Sequence, residues 1–383
     1  SMLRSAAKNC ASVTVVTDPL DYPRVLEELR LNGHTTVETR RMLAIKVYQA
    51  TAAYDAMIAA KLAGSGDTLP DIMDVRLNKV QDLRYGENPH QASALYRVAG
   101  DGPTFTQVQG KELSYNNILD AEGSWDLVGE FTLPAAVIFK HVTPCGAGTG
   151  ATLVEAYRRA FETDPVCAFG GILAVNRELD ADVATAIGDL FMEVIIAPSV
   201  SEQAREILKK KKNLRILTRQ NWTPPHVQFR VAGREVLAQQ PDTRLYGEGD
   251  QWKVSTTRAP TAEETQALRF AWPMCKHVKS NAIVVTGAEQ AIGLGAGQMS
   301  RVDSVEMAGI KMRQFQSRKA LPAVLVAGSD AFFPFRDGVD ALQKLGVTAI
   351  IQPGGSMRDD EIIAAANEHG LAMVMTGMRH FRH

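Results

Sequence analysis

A lysine and a histidine stand side by side at Lys140-His141, inside the segment FKHVTPCGAG at 139–148. They follow the apolar run at 135–139, which is typical of a buried strand, and precede glycines that let backbone approach a ligand closely. An ammonium beside an imidazole lowers the imidazole pKa and keeps the ring neutral, as a general base must be. An isolated pair of this kind is more often a surface lysine beside a structural histidine, but the glycine-rich segment favours the catalytic interpretation.

The same tripeptide recurs as Lys276-His277-Val278. This second copy stands before the apolar run at 282–285 and a further glycine-rich segment, GLGAGQ at 293–298. Each copy is accompanied by a strand, a glycine turn and a later helix, so we predict that the copies occupy equivalent places in a duplicated fold. The spacing G-x-G-x-G is not the dinucleotide spacing G-x-G-x-x-G and is weak evidence for a nucleotide site. Arg301, just after it, is placed to face an anion held by the turn.

Two further polar segments carry residues suited to a phosphorylated aromatic ligand. In RYGENPHQ at 84–91, a guanidinium fits phosphate or carboxylate, and a tyrosine ring can stack on a heterocycle. A hydrogen-bonded turn with a surface ion pair explains that segment equally well. In SDAFFPFRD at 329–337, three phenylalanines are costly to expose, so they either pack in the core or clamp a flat ligand.

A zinc site is the alternative that the segment after 135–139 raises. Pro144-Cys145 is similar to part of the deaminase pattern H-x-E…P-C-x-x-C. The position of the second cysteine holds Gly148, however, and His141-Val142-Thr143 is not H-x-E. Because the ligand set is incomplete, we predict no zinc and no other transition metal.

Composition limits the classes of partner. The 383 residues are 45% hydrophobic and 22% charged, with a net charge of −1, which is typical of a globular protein of two or three domains. This balance predicts neither nucleic acid nor membrane as a partner, so an anionic substrate needs local arginines and lysines. Four scattered cysteines indicate reduced thiols and a cytoplasmic location. The sequence shows no apolar run of membrane-spanning length and no signal-peptide pattern.

The elements that position these residues alternate between strands and helices from residue 77 onward. This alternation predicts an α/β fold with mostly parallel sheets. The predicted strands are 135–139, 172–175, 194–197, 283–286, 323–327 and 348–351. The predicted helices are 151–162, 181–191, 201–210, 261–271, 304–317, 338–345 and 359–369.

The chain before residue 77 has a different pattern of predicted secondary structure. A short strand at 13–16 is followed by predicted helices over 22–31 and 36–63. Gly64-Ser65-Gly66 predicts a flexible link, and a domain boundary is expected near residue 70. A second break is predicted in the polar, turn-rich segment 213–258. That segment contains Pro224-Pro225 and Gly247-Glu248-Gly249.

Taken together, these segments closely resemble the family of bifunctional purine biosynthesis enzymes that carry AICAR transformylase and IMP cyclohydrolase. They run in the family's order through nearly all of 75–383. The matching segments are RYGENPHQ at 84–91, KHVTPCGAG at 140–148, FGG at 169–171, KHVKSNAI at 276–283, GLGAGQMSRVDS at 293–304, SDAFFPFRD at 329–337 and MRHFRH at 378–383.

The resemblance implies a fold and a domain division. It implies two cytidine-deaminase-like α/β subdomains without zinc, at 71–250 and 251–383. Residues 1–70 are expected to be a C-terminal remnant of the cyclohydrolase domain with a helical linker, because residues 2–9 resemble the late part of that domain. Cyclohydrolase activity is accordingly expected to be lost by truncation.

The activity that the resemblance implies is formyl transfer from 10-formyltetrahydrofolate, as co-substrate, to the 5-amine of AICAR. The family is a homodimer with shared active sites. His141 resembles the general base and Lys140 its cationic partner, whereas Asn281 resembles an amide that orients the substrate and stabilises the oxyanion. The histidine of the second tripeptide is then expected to be structural.

The resemblance also assigns residues to the two substrates. Glu193 stands where some members have aspartate. The residues that resemble AICAR-binding positions are Arg84, Tyr85, Gly170, Glu193, Arg301, Phe332 and Arg379. The residues that resemble the folate side of the pocket are Val302, Pro334, Phe335 and Asp337.

The last expectations concern a monovalent cation site and two alternative functions. The family can bind a cation such as K+ near Ser280 and Asp330, although the neighbouring Val278 and Ala282 offer no side-chain oxygen. A zinc-dependent nucleobase deaminase on the same fold predicts stoichiometric bound zinc. A nucleotide-binding module without catalysis predicts AICAR binding and no formyl transfer, and the joint presence of phosphate anchors and the Lys-His pair argues against it.

Overall fold

The computed structural model describes residues 1–64, 69–220, 227–247, 249 and 251–383. The chain divides into two compact units. The first comprises Ser1–Asn78, Val98–Gly100 and Pro225–Pro241, and the second comprises Lys79–Arg97, Asp101–Pro224 and Asp242–His383. Parts of the predicted breaks, namely Ser65-Gly66, Pro224-Pro225 and Glu248, lie outside the described residues.

The described residues form helices and strands that alternate through most of the chain. The helices are α1 (Met2–Lys8), α2 (Tyr22–Asn32), α3 (Val37–Ala63), α4 (Tyr115–Gly129), α5 (Leu153–Thr163), α6 (Pro165–Ala168), α7 (Ala181–Ile187), α8 (Glu202–Leu208), α9 (Ala262–His277), α10 (Arg301–Gln316), α11 (Asp337–Lys344) and α12 (Asp359–Glu368). The strands are β1 (Leu77–Leu83), β2 (Ser93–Val98), β3 (Thr106–Gln109), β4 (Ala135–Lys140), β5 (Thr143–Thr149), β6 (Ile172–Val175), β7 (Val194–Ala197), β8 (Arg215–Thr218), β9 (Gln228–Ala232), β10 (Glu235–Gln239), β11 (Lys253–Val254), β12 (Ile283–Thr286), β13 (Ala291–Gly295), β14 (Val326–Ser329), β15 (Ala349–Gln352) and β16 (Ala372–Met375).

The first unit contains the two helices predicted before residue 77, as α2 and α3. The predicted strand at 13–16 is wrong, because that segment pairs with no strand of the described chain. Val15 packs instead in a small core with Ala7, Ala44 and Val47. Burial against two helices therefore explains the apolar residue that suggested a strand.

The second unit contains two six-stranded sheets with the same strand order. The first runs β3-β8-β7-β6-β4-β5 and the second runs β11-β16-β15-β14-β12-β13. In the first sheet β6-β7 and β7-β8 are parallel, in the second β14-β15 and β15-β16 are parallel, and the other pairs are antiparallel. The α/β class is confirmed. The prediction of mostly parallel sheets is wrong, because a hairpin and an outer strand add antiparallel pairs to each sheet.

Most predicted elements of the second unit occur within a few residues of the expected bounds. The strand predicted at 323–327 begins later, at Val326, where its ladder with β15 starts. The helix predicted at 261–271 continues to His277 despite Pro273 in its interior. Sequence analysis missed α4 and the second strand of each hairpin, β5 and β13, because those strands are rich in glycine.

Helices α4 and α9 lie in one core that both sheets share. Trp125 of α4 and Trp272 of α9 belong to this core, together with alternate residues of the central strands. In β4, Val137 and Phe139 face the shared core, whereas Ile138 faces α5, α7 and α8 on the other side of the sheet. Burial on both faces explains why β4 is apolar at every position before Lys140.

In each hairpin, two glycines separated by one residue let the second strand pack against the backbone of a helix. A Cβ on Gly146 would lie 2.0 Å from the carbonyl oxygen of Ala160 in α5, and one on Gly295 would lie 1.9 Å from that of Ser304 in α10. The glycines that follow Lys140-His141 therefore serve helix packing. This corrects the expectation that they let backbone approach a ligand.

The two Lys-His-Val tripeptides do not occupy equivalent places in the repeated sheets. Lys140 ends β4, and His141-Val142 forms the tip of the β4-β5 hairpin. Lys276-His277 instead ends α9, and Val278 precedes β12. The prediction that the copies are in register is therefore wrong, and the strand order and the glycine pairs mark the repeat instead.

Candidate functional site

A cavity of about 580 Å³ opens beside the tip of the β4-β5 hairpin. Six predicted site residues lie in its wall, which is formed by polar and charged side chains from several elements. The wall consists of Arg84, Tyr85, Lys111, Glu112, Leu113, Ser114, Asn116, Asn117, Asp120, Lys140, His141, Gly170, Ile172, Glu193 and Arg215.

The hairpin tip that carries the predicted catalytic pair has an unusual backbone. Lys140 pairs with Thr143 across the hairpin, so His141 and Val142 are the two turn residues. Both have a φ of 57°. Positive φ at both central residues is the requirement of a type I′ turn, which usually takes asparagine or glycine. Valine is β-branched and adopts this conformation rarely, and strained positions of this kind cluster at functional sites.

Asp120 of α4 contacts this turn from the cavity wall. Its Oδ1 accepts the backbone N–H of Val142 at 2.5 Å, and the backbone N–H of His141 also hydrogen-bonds to the carboxylate. Burial raises the pKa of Asp120, and the two hydrogen bonds partly offset that rise. Sequence analysis missed Asp120 because it missed α4. The capping pair of Ser114 and Asn117 is the signal that would have located the start of this helix.

Lys140 is tied to the loop that carries Gly170. Its Nζ donates to the carbonyl oxygen of Phe169 at 2.9 Å. Gly170 has a φ of 72°, in the left-handed region that glycine tolerates, and its N–H donates to the carbonyl oxygen of Phe191 at 2.8 Å. The same cavity is therefore lined by Lys140, His141 and Gly170, the residue predicted to offer its backbone to AICAR.

Glu193 already has a partner in the cavity wall. Its Oε2 lies 2.5 Å from Nη1 of Arg215, whose Nε donates to the carbonyl oxygen of Glu112 at 3.0 Å. A substrate that hydrogen-bonds to Glu193 must therefore share the carboxylate with this arginine. Sequence analysis did not single out Arg215, because β8, on which it lies, was not predicted.

The segment at 84–91 forms a turn whose first two residues line the cavity, and ligand binding by Arg84 and Tyr85 stays a prediction. It is a hydrogen-bonded turn, in which the N–H of Gly86 donates to the carbonyl oxygen of Gln91 at 2.8 Å. Its guanidinium and ring also line the cavity, with Cζ of Arg84 lying 5.5 Å from the ring centroid of Tyr85. The turn therefore presents a stacked cation and aromatic ring to the same space as His141.

Asn281 and Arg301 lie outside the cavity wall, in a buried polar network of the second sheet. Asn281 Nδ2 donates to the carbonyl oxygens of Gln298 and Met299, at 3.1 and 3.0 Å, and its Oδ1 accepts from Nη2 of Arg301 at 2.9 Å. Nη1 of Arg301 lies 2.5 Å from Oδ1 of Asp330. In this conformation the arginine faces a carboxylate of its own chain, and both N–H groups of the Asn281 amide are engaged.

The predicted cation position is part of the same network. Ser280 Oγ donates to Oδ2 of Asp330 at 2.5 Å, and the serine also exchanges two hydrogen bonds with the main chain of Arg382. Ser280 and Asp330 are therefore adjacent, as the resemblance implies. Their oxygens are satisfied by each other and by Arg301.

The residues predicted for the folate side lie mainly on the surface of the second sheet's loops. Pro334 and Phe335 are exposed, and Cζ of Arg358 lies 4.7 Å from the ring centroid of Phe335. Phe333 packs in the core. One of the three phenylalanines therefore packs in the core, and clamping of a flat ligand by the exposed ones stays a prediction. In the same folate group Asp337 is exposed and Val302 is half-buried. Phe332 and Arg379, which were predicted for AICAR binding, are also exposed.

His277 of the second tripeptide is buried and bonded on both ring nitrogens. Nη1 of Arg382 lies 2.9 Å from its Nδ1, and because a guanidinium can only donate, Nδ1 is the unprotonated acceptor. Its Nε2 then donates to Oε1 of Glu130 at 3.0 Å, and Lys276 Nζ donates to the same oxygen at 2.7 Å. Burial lowers the pKa of His277. Burial alone would raise the pKa of Glu130, but its bonds to His277 and Lys276 outweigh that effect and lower it.

The segment at 378–383 is anchored on the same face. His380 is 1% exposed, its Nδ1 lies 2.6 Å from Oδ2 of Asp242, and its ring centroid lies 5.1 Å from that of Trp272. Its N–H donates to the carbonyl oxygen of Asp330 at 3.0 Å. These contacts fix the segment that carries Arg379 beside the network of Asp330.

Two features are absent from the described residues. No group of three or more His, Cys, Asp or Glu side chains in that part of the chain is arranged to hold a metal ion. Within the same residues, none of the helices combines the length and the apolar character needed to cross a bilayer.

Comparison with known proteins assigns the family. Residues 6–311 match the family described as AICARFT/IMPCHase bienzyme, and the chain belongs to that family. Three similar relatives each carry the name bifunctional purine biosynthesis protein PurH, and each aligns with the whole of this chain. They come from Elusimicrobium minutum (54% identity, 74% of the relative covered), Halalkalibacterium halodurans (49%, 75%) and Magnetococcus marinus (51%, 76%).

Proposed function

We propose that this protein transfers the formyl group of 10-formyltetrahydrofolate to the 5-amine of AICAR, which gives FAICAR in purine biosynthesis. Membership of the AICARFT/IMPCHase family and the full-length similarity to PurH proteins support this activity. The observation that carries the proposal is the position of Lys140 and His141 together on the wall of one cavity. The cavity volume of about 580 Å³ lies within the range of small-molecule sites.

The reaction requires a base and a group that stabilises negative charge. The amine nitrogen attacks the formyl carbon, and neutral His141 removes a proton from that nitrogen as the new C–N bond forms. The carbonyl oxygen becomes an oxyanion, which the ammonium of Lys140 stabilises. The intermediate collapses by breaking the bond to N10 of the folate, and the proton held by His141 passes to N10. Every proton and bond in this sequence is accounted for by the two substrates and two side chains.

AICAR binding is assigned to the remainder of the wall. Arg84 suits the ribose 5′-phosphate, because a guanidinium offers a planar pair of donors, and the Tyr85 ring supplies a face for stacking. Gly170 contributes backbone, and Glu193 accepts a hydrogen bond from the substrate while it remains close to Arg215. Arg84 and Glu193 lie on the same cavity wall as His141, which supports a single site.

We also propose that the active site is completed in a homodimer. Six predicted residues line the cavity, whereas Asn281, Arg301 and the exposed side chains of the second sheet do not. A second copy would contribute this other set. This set contains Asn281 as the amide that orients the substrate and helps to stabilise the oxyanion. It also contains Arg301, Phe332 and Arg379 toward AICAR, and Val302, Pro334, Phe335 and Asp337 toward the folate. An ultracentrifugation experiment that found a fully active monomer would contradict the shared site.

The finer architecture is part of the proposal. Both sheets have the same mixed strand order, with a β-hairpin at one edge. This shared order supports two cytidine-deaminase-like subdomains, at 71–250 and 251–383, after a linker region at 1–70. A monovalent cation such as K+ remains a prediction at Ser280 and Asp330, and its effect on activity is measurable by exchanging K+ for a larger organic cation. The zinc deaminase is not favoured, because Gly148 occupies the position of a required ligand and packs against α5.

The experiment that tests the function is a formyl-transfer assay with purified protein. We expect AICAR and 10-formyltetrahydrofolate together to produce the absorbance change of deformylated folate and FAICAR detectable by mass spectrometry. Omission of either substrate, or an AICAR analogue without the 5-amine, serves as the control. Tight AICAR binding without FAICAR would support the nucleotide-binding module, and stoichiometric zinc with deamination would support the deaminase.

A further inference from the structure

The tip of the β4-β5 hairpin is held in a conformation that its own residues disfavour. His141 and Val142 both have a φ of 57°, and neither is the asparagine or glycine that such turns normally use. A chain left to its local preference would move at least Val142 out of the left-handed region, because its branched Cβ crowds the backbone there. Some other contact must therefore hold the tip.

Asp120 supplies that contact from a rigid support. Its carboxylate accepts the backbone N–H groups of both turn residues, one of them at 2.5 Å. Asp120 lies one turn after the capping box of Ser114 and Asn117, on a helix whose later residues pack in the shared core. A carboxylate on a packed helix that binds two successive amides fixes both their direction and their position.

The corresponding hairpin of the second sheet has no such arrangement. Its tip is longer, at 287–290, and is closed by a bond from the N–H of Gly287 to the carbonyl oxygen of Gln290 at 3.0 Å. None of these four described residues has positive φ. The strained tip and its carboxylate therefore occur in the hairpin that reaches the cavity and not in the hairpin that shares its topology.

We propose that Asp120 is a positioning residue for formyl transfer, whose carboxylate holds the His141-Val142 turn so that the imidazole of His141 points at the substrate amine. This inference rests on the proposed function, since it concerns the geometry of the general base. It differs from a direct role, in which Asp120 would itself contact AICAR. Positioning predicts that relief of strain in the turn can replace the carboxylate, whereas direct contact does not.

A double-mutant cycle separates these roles. We expect Asp120→Ala to lower kcat about 100-fold, the scale of loss when a reacting group moves by about 1 Å, with the KM for AICAR changed less than about threefold. Val142→Gly alone should stay within a few-fold of the original protein, because glycine adopts positive φ freely. In the double variant Asp120→Ala/Val142→Gly, we expect at least about tenfold of the lost kcat to return.

Two further variants control for folding and charge. Asp120→Asn keeps one acceptor oxygen for the turn and should lose less kcat than Asp120→Ala. Asp182→Ala, on the exposed side of α7, removes a carboxylate far from the site and should leave kcat unchanged. The unfolding temperatures of all variants should lie above the assay temperature, so that a change in kcat does not reflect a loss of folded protein.

The readout must also be independent of turnover. A crystal structure of Asp120→Ala should show His141 or Val142 outside the left-handed region, and the double variant should show both inside it. An unchanged turn, or a double variant with no recovery of kcat, would overturn the positioning role. If the original protein transferred no formyl group but the turn moved as described, the proposed function would fail while the structural role of Asp120 stood.

Discussion

The hairpins β4-β5 and β12-β13 have the same place in two sheets of identical strand order, but their tips have different surroundings. Each uses two glycines to bring a helix backbone against its second strand. In the first hairpin the tip carries Lys140 and His141 into a cavity. In the second hairpin the tip packs on the first sheet, where Glu289 accepts the N–H of Thr149 at 2.9 Å through its carbonyl oxygen.

The comparison shows that the two halves share the same packing of a helix against a hairpin, although the polar residues near their hairpins differ. The glycine pairs and the strand order recur in both halves because each sheet needs a helix against its hairpin. The polar residues of the second half lie at the other end of the hairpin, where Asn281 precedes β12 and Arg301 begins α10. The two halves thus offer one hairpin tip that lines a cavity and one buried polar network.

The largest expected effect is the loss of the reactive tip itself. His141→Ala should lower turnover about 10²- to 10⁴-fold, which is the contribution typical of a general base. AICAR binding should persist, because the anchors at Arg84 and Tyr85 remain. The measurement is kcat for FAICAR formation together with AICAR binding by calorimetry. His34→Ala, in the first unit, is the matched control, and transfer within a few-fold of normal in His141→Ala would refute the assignment.

The second prediction contrasts the charges of the two halves. Arg301→Met should destabilise the fold by about 3–5 kcal/mol, because it leaves the buried carboxylate of Asp330 without its cationic partner. Lys140→Met removes a single hydrogen bond, to Phe169, and should cost about 1 kcal/mol while it removes activity. Urea unfolding gives both free energies. Equal losses would mean that the two cations do not differ in their structural role.

The third prediction concerns what the two hairpins share. Gly148→Ala and Gly295→Ala should each cost about 1–3 kcal/mol, because the new Cβ would lie 2.6 Å from the carbonyl oxygen of Ala156 or 1.9 Å from that of Ser304. Gly102→Ala meets open space and should change the free energy of unfolding by less than about 0.5 kcal/mol. Thermal or urea unfolding of the three variants would test the comparison. If alanine were tolerated in one hairpin and not in the other, the glycines of the two hairpins would not be equivalent.

The smallest expected effect is a pH dependence specific to the second tripeptide. Burial lowers the pKa of His277 in the folded state, so the folded protein binds fewer protons than the unfolded chain just below the unfolded value of about 6.5. Stability should therefore fall as the pH drops below about 6.5. His277→Gln should flatten this dependence. Urea midpoints at several pH values would measure it, and parallel curves for the two proteins would contradict it.

Sequence analysis placed Lys140 and His141 at the end of a strand, where they line the cavity, because an apolar run of strand length ends at Lys140 and most central strands are similarly apolar. It could not tell which end of a strand a tripeptide occupies, and so it treated Lys276-His277 as the equivalent of Lys140-His141. It also could not separate glycines that admit a ligand from glycines that admit a helix. Both uses require a missing Cβ, and only the packed structure shows which atoms come close.

Asp120 and Arg215 were missed for a different reason. Asp120 lies 21 positions before the turn it contacts, and nothing in the intervening sequence indicates that a carboxylate meets the N–H of His141. The polar network of Asn281, Arg301 and Asp330 likewise joins residues from three separate elements. Such contacts depend on sheet order and helix rotation, which the spacing of residues along one chain does not specify.

Helix α4 carries Asp120 near its start and is followed directly by Glu130, so one helix reaches both the tip of the β4-β5 hairpin and the buried pair Lys276-His277. The two residues are ten positions apart, or about 15 Å along the axis. Insertion or deletion of one residue between them would rotate one end by about 100° relative to the other. A length change within 121–129 should therefore disrupt one of the two contacts, whereas a substitution there leaves Asp120 and Glu130 in register.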